Sequence, residues 1–445
     1  MKPLLQTTMF KPVLAALLAA AALLAAPVTA VHAQDAAKEA PKKQRKASGT
    51  LSEGTYRQLE RIHDLIGKNK NDEALEKSKA LLERVGNDYE RAVVRQTMAF
   101  IYISQNNYKA AIAAFEDALK LDALPQQPYE QMLYNIAQLY FQDGQTDKAI
   151  ERMELYFREA TVEPVADAHI LLASAYSDRK RYRDALPQVD KALSKVKEPK
   201  ESWLQLKLAL HYELKQFPQC AEVLLQLISV APTKKDYWKQ LSSILFEIQK
   251  DKESLAVLAL ADRQGFLTTE PEVRNLANIY LLLDIPYKAA QILERGLQQK
   301  ILKEDEKTLQ LTGDAWTMAR DYEKAEAVLK RAAAIAEGGE IYYRLGQIYV
   351  EDERWKDALD ALAKAQAKGV KKMGDAAYLE GVAAFQSGNR KRAVETLRKA
   401  QTYDDSRNAA TQWLNHIAQV EEAEAQAALA AAEAKEQKAE DAAKN

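Results

Sequence analysis

The sequence predicts an all-α protein: a right-handed α-solenoid (superhelix) of about ten helical hairpins, closed by a C-terminal capping helix. Three observations carry that expectation. A small residue returns at positions 74, 111, 149, 185, 220, 254, 289, 325, 358 and 393, in steps of 33 to 38 residues, as Ala everywhere except Cys220 and Ser254. Self-similarity at a step of that size marks stacked supersecondary units. Around these positions apolar side chains recur at helical spacing, as in YKAAIAAFEDALKL, where Tyr108, Ala111, Phe115 and Ala118 share one stripe. Gly (15) and Pro (13) are scarce over 445 residues, which disfavours a turn-rich β architecture.

The elements follow in chain order. Lys2 and Lys11 open the chain, Val13 to Ala26 is an uncharged Ala/Leu-rich run, and Val31-His32-Ala33 supplies small residues around a cleavage point. This is the three-part pattern of a secretory signal, and the run is short for a bilayer span, so residues 1–33 are expected to be removed after Ala33. The mature chain then carries 61 basic and 64 acidic residues and no transmembrane span, and its expected place is the periplasm. Residues 34–54 mix Ala, Lys and Pro without apolar periodicity and read as a flexible charged linker; the Lys42, Lys43, Arg45, Lys46 cluster is read as solvated.

Residues 55–406 hold the hairpins. In one copy Met98, Ala99 and Tyr102 lie on the first helix, QNN makes the turn, and Pro125 and Pro128 are expected to stop the second helix. Residues 407–420, with Trp413, Leu414 and Ile417, are expected to cap the last apolar face. The Ala-, Glu- and Lys-rich tail, 421–445, is expected to pack against nothing.

These residues resemble the tetratricopeptide repeat, a 34-residue helical hairpin with fixed small and aromatic positions. The fullest copy spans 339–372, with Tyr342, Leu345, Gly346, Tyr349, Trp355, Ala358, Leu362 and Ala365. Its neighbour carries Leu309, Gly313, Trp316, Tyr322, Ala325, Leu329 and Ala332. Such arrays turn the first helix of each hairpin, helix A, toward an inner groove. The resemblance therefore places a protein-binding groove on Tyr134, Gln138, Phe141, Ser174, Tyr212, Lys239, Phe246, Arg274, Asn278, Tyr343, Gln347, Tyr378 and Phe385. Aromatics mixed with amides suit a peptide or an amphipathic helix. In the slots of the family's carboxylate clamp stand Lys239, Ser243, Asn275, Lys307 and Leu311; an amide and a cation are missing, so such a clamp is not expected.

The search for chemistry finds little. His63, His169, His211 and His416 fall in separate hairpins or in the cap, and no Cys/His cluster, P-loop or nucleophile motif occurs. Cys220 sits in the small-residue slot and reads as a buried inert thiol. No enzyme activity, metal or cofactor is expected. With a formal net charge of −1, the chain lacks the basic excess that nucleic acid demands. The C-terminal half, through RDYEKAEAVLKRAAAIAEGGEIYYRLGQIYVEDERWKDAL, KKMGDAAYLEGVAAF and SRNAATQWLNHI, is similar to repeat proteins that accompany TonB–ExbB–ExbD systems. That resemblance implies a scaffold supporting TonB-dependent transport, with the inner-membrane complex as partner. The alternative is a scaffold for polysaccharide or outer-membrane assembly machinery. The oligomeric state is left open.

Overall fold

The structure, a computed structural model, describes residues 45–46 and 49–444, with side chains to Lys435. The expected signal, its cleavage point after Ala33, and linker residues 34–44, 47 and 48 lie outside the described residues. The fold is all-α, an α-solenoid of hairpins: the described residues form 21 helices and no strand. They divide at Gln249/Lys250 into two compact units.

In the first unit, hairpins pair α1 (Glu53–Gly67) with α2 (Asn71–Leu82), α3 (Asp88–Ser104) with α4 (Tyr108–Lys120) and α5 (Gln126–Gln142) with α6 (Thr146–Glu159). They continue with α7 (Ala166–Asp178) and α8 (Tyr182–Ser194), α9 (Glu201–Glu213) and α10 (Phe217–Val230), and end on α11 (Lys235–Glu247). The second unit opens with α12 (Asp251–Arg263) and pairs α13 (Glu270–Leu282) with α14 (Pro286–Gln298) and α15 (Glu306–Met318) with α16 (Tyr322–Ile335). It then pairs α17 (Glu340–Glu351) with α18 (Trp355–Lys368) and α19 (Met373–Gln386) with α20 (Arg390–Ala400), and closes with α21 (Arg407–Lys444).

One turn is repeated ten times. Five residues before each small residue the backbone enters the left-handed region, at Asn69, Asn106, Gly144, Lys180, Lys215, Gln249, Asp284, Arg320, Glu353 and Gly388. Eight of these are not glycine and hold φ of 54–61°, a conformation that costs an L-residue roughly 1 kcal/mol. The turn offsets that cost by satisfying helix-end carbonyls. Asn106 N–H donates to Ile103 O at 2.9 Å and Asn107 N–H to Tyr102 O at 2.8 Å, the double bond of a Schellman cap. Helix B then starts at once: the amide of each small residue donates to the carbonyl four residues back, at 2.9–3.3 Å in all ten copies. All ten small residues are 0% exposed, and in the nine hairpins that lie within one unit the recurring residue is the point where the second helix meets the first.

Size complementarity completes the hairpin. A Cβ on Gly346 would stand 2.6 Å from Leu362, one on Gly313 2.5 Å from Leu329, and one on Gly381 2.6 Å from Leu397. The same sixteen-residue offset relates Ala99 to Phe115, Ala137 to Met153, Ala173 to Val189 and Ala277 to Leu293, all 0% exposed. In the first hairpin the sizes are exchanged, Ile62 facing across the offset to buried Ser78, whose hydroxyl donates to Ala74 O at 2.8 Å. Burying one leucine in such a slot stabilises by roughly 1.5–3 kcal/mol.

The ends differ from the sequence expectation. Pro125 and Pro128 do not stop α4, which ends at Lys120; Pro125 is the N-cap of α5 and Pro128 lies in its first turn, where a missing N–H breaks no bond. Helix α1 starts at Glu53, inside the stretch read as linker, on the Ser52 cap. From that same stretch Arg45 reaches the array: its guanidinium lies 3.9 Å from the Tyr129 ring centroid and pairs with Asp122, and Gln126 N–H donates to its carbonyl at 3.2 Å. At the other end the cap and the tail are one 38-residue helix, α21. Trp413, Leu414 and Ile417 pack on Leu397 and Ala400, while residues 421–435 are exposed. No described helix is long and apolar enough to cross a membrane.

Candidate protein-interaction site

The groove expected from the sequence corresponds to one row of helix-A side chains. Most of that row is occupied by ties from one helix A to the next. In the second unit Arg274 on α13 donates to Thr308 on α15 and, at 2.9 Å, to Glu270. Arg344 on α17 pairs with Asp314 on α15 at 2.9 Å, and with the Gln310 amide turned to accept, its oxygen lies 2.7 and 2.9 Å from the Arg344 guanidinium. Burial pushes the Asp314 carboxyl up, and Arg344 pulls against that. Tyr343 on α17 donates to Asp375 on α19, and Gln347 donates to the Tyr343 hydroxyl at 3.0 Å. Trp413 on α21 donates to the Tyr378 hydroxyl at 3.1 Å, and Phe385 meets the edges of Trp413 and His416 at 5.7 and 5.8 Å.

The first unit is built the same way. Gln205 on α9 donates to Tyr237 on α11 at 2.6 Å, and Tyr237 donates to Glu201. Tyr134 is half-buried against Tyr156, ring centroids 5.6 Å apart, and burial pushes its phenol up to about 12, with Asp167 adding to the effect and the Gln138 contact opposing it. Phe141 packs against two hydrophobic clusters, and Tyr212 stands edge-on to Phe217 at 6.0 Å. Ser174 and Lys239 are half-buried.

Of the expected groove residues only Phe246, at 45%, and Asn278 are exposed. Tyr343 departs furthest from the expectation. It is 5% exposed with its hydroxyl committed to Asp375, so it braces two helices and offers no free face. Substituting it tests packing rather than capture. Two residues with the same duty, Gln205 and Gln310, were passed over. They lie fifteen residues before the small residue, the slot that also holds Tyr134, Lys239, Arg274, Tyr343 and Tyr378, so the register itself is the signal that finds them.

The reactive groups are spent structurally. His169 is buried, its Nδ1 2.8 Å from Gln188 Oε1, and burial lowers its pKa. His211 Nδ1 lies 2.7 Å from Gln216 Oε1. Cys220 is 0% exposed, and burial pushes its thiol up to about 11, far from a nucleophile's range. Among the described residues no group of His, Cys, Asp or Glu is arranged to hold a metal.

Residues 343–410 match the tetratricopeptide repeat family, and residues 104–192 match the family described as anaphase-promoting complex, cyclosome, subunit 3. No curated protein matches the chain. Among solved structures it is similar to a tetratricopeptide repeat protein from Parabacteroides merdae, at 17% identity over 63% of this chain and 100% of that one, TM-score 0.36. YrrB, described as a TPR protein with an unusual peptide-binding site, is 19% identical over 44% of this chain and 99% of its own, TM-score 0.35. The Cut9–Hcn1 structure of the anaphase-promoting complex is 12% identical over 82% of this chain and 96% of its own, TM-score 0.31. The hairpin geometry stands without these overlays. The match over residues 343–410 supports the tetratricopeptide repeat resemblance for that stretch, and the hairpins within each unit share one turn and one packing slot.

Proposed function

We propose that the protein is a non-catalytic periplasmic scaffold that holds a protein partner along its helix-A row and supports a TonB-dependent transport system. Tetratricopeptide repeat proteins act as protein-binding scaffolds. The observation that carries the reading is the tying of each helix A to the next, through Arg274–Thr308, Arg344–Asp314 and Tyr343–Asp375 in the second unit. A face whose side chains are already fixed loses little entropy when a partner docks, and preorganisation of that kind favours capture. The TonB assignment rests on the resemblance of the C-terminal stretches, and the periplasmic location on the signal pattern ending at Ala33.

Affinity capture from crosslinked cells tests it. The exported protein should begin at Gln34, and ExbB, ExbD or TonB should be recovered with it. Phe246→Ala and, separately, Asn278→Ala should each reduce that recovery several-fold with unchanged helical circular dichroism. Recovery of polysaccharide synthases or outer-membrane assembly factors with none of those three overturns the TonB assignment.

A further inference from the structure

Ten copies of one turn allow a comparison inside a single chain. Four residues before the small residue, nine copies carry a polar or charged side chain and one carries Ile285. Two residues before it, nine copies carry Asp, Lys, Arg, Glu or Pro and one carries Tyr287. Seven residues before it, at the end of helix A, eight copies carry Gly, Ser, Gln, Asp or Glu; the two exceptions are consecutive, Leu282 and Met318. The turn has the same left-handed residue and the same pair of capping bonds in the nine copies that lie within one unit, so folding does not require apolar side chains there.

All four are exposed: Leu282 by 60%, Met318 by 54%, Tyr287 by 46% and Ile285 by 37%. Tyr287 stands edge-on to buried Trp316 at 5.3 Å, which brings the turn after α13 beside the end of α15 and gathers the four within the second unit. Half-exposed side chains of this size amount to roughly 300–400 Å² of apolar surface, the scale at which a patch on a monomer is often functional.

The rim selects the occupant. At these two turns stand Asp284, Asp321 and Glu323 and, against them, Lys288, Arg320 and Lys324, three charges of each sign. An anionic membrane surface is held by a basic excess, which this rim lacks. A rim of one sign repels a copy of itself; a balanced rim is what a two-fold contact between identical surfaces needs. We propose that this patch is a self-association face, seating the same patch of a second copy across a two-fold axis. Its area is about half of the roughly 800 Å² per partner that a stable dimer buries, so the dimer is weak and reversible. This inference is independent of the partner proposed above.

Sedimentation velocity of the purified protein from about 1 to about 300 µM tests it, a span that covers weak association. The wild type should move from monomer to dimer across that range. The variant Leu282→Glu/Tyr287→Lys carries residues that other copies hold in those slots (Glu351 and Lys356), so its fold should survive. It should associate at least ten-fold more weakly with unchanged circular dichroism. If that variant loses helix, Ile285→Gln alone, matching Gln145 and Gln216, serves in its place with the same expected direction. A wild type that stays monomeric throughout, or a folded variant that dimerises as the wild type does, overturns the proposal. So does binding to phosphatidylglycerol vesicles that depends on Leu282 and Tyr287, which assigns the patch to lipid.

Discussion

Glu326 occupies a position, one residue after the small residue, that is apolar in the nine other copies. Its side chain is only 15% exposed. It accepts from Tyr349 at 3.0 Å, Lys330 at 2.7 Å and Arg354 at 2.6 Å. Burial works against the charged carboxylate, but the donors outweigh it, Arg354 first, and hold the pKa at about 2. A carboxyl depressed from 4.5 contributes stability that is fully present above about pH 4.5 and is lost as pH falls toward 2. The ceiling is about 3 kcal/mol from the size of that shift. Glu326→Gln should therefore lower the thermal midpoint at pH 7, and the gap to wild type should close as pH falls to about 2. An equal gap at both pH values sinks the assignment. Helical periodicity alone does not reveal this residue, because a single Glu on a charged helix looks solvated. Comparing one slot across the copies does.

At the scale of the helix, the hairpin was legible and the reason is geometric. The A-to-B turn has one length in every copy, so the small residue keeps strict register with it and the repeat shows through the step variation. The variation lies elsewhere: α3 and α5 have 17 residues where α7 and α9 have 13. The glycine slot makes the packing testable. Gly346→Ala gains helix propensity of about 1 kcal/mol but drives a methyl to 2.6 Å from Leu362, and overpacking of that kind costs about 1–3 kcal/mol. Gly54, in α1, has nothing within 4 Å of its missing Cβ. Urea unfolding should show Gly54→Ala stabilised by a few tenths to about 1 kcal/mol and Gly346→Ala destabilised by up to about 2 kcal/mol. If both variants gain stability, the Gly346–Leu362 approach is looser than described.

Across the whole molecule, what a residue does depends on the copy after its own. The sequence placed Tyr343 on helix A correctly, yet it did not place Asp375, thirty-two residues on, against its hydroxyl. Local spacing carries no information about that pairing, because it is set by stacking between copies. The same dependence makes the pairing of α19 with α20 vulnerable, since among the described residues α21 alone covers its face. Trp413, Leu414 and Ile417 close the cluster of Ala377, Ala384, Leu397 and Ala400, and Trp413 donates to Tyr378. Beyond Val420 the helix is exposed through Lys435, and its described tie to the array is the surface pair of Glu424 with Arg390. An exposed pair of that kind contributes little. A chain ending after Val420 should thus melt within about 1 °C of the full protein, whereas one ending after Ser406 should melt several degrees lower and bind a hydrophobic dye. Equal losses from both truncations would place the stabilising contacts in the Ala-rich extension, and the capping role would pass from Trp413 and Ile417 to residues beyond Val420.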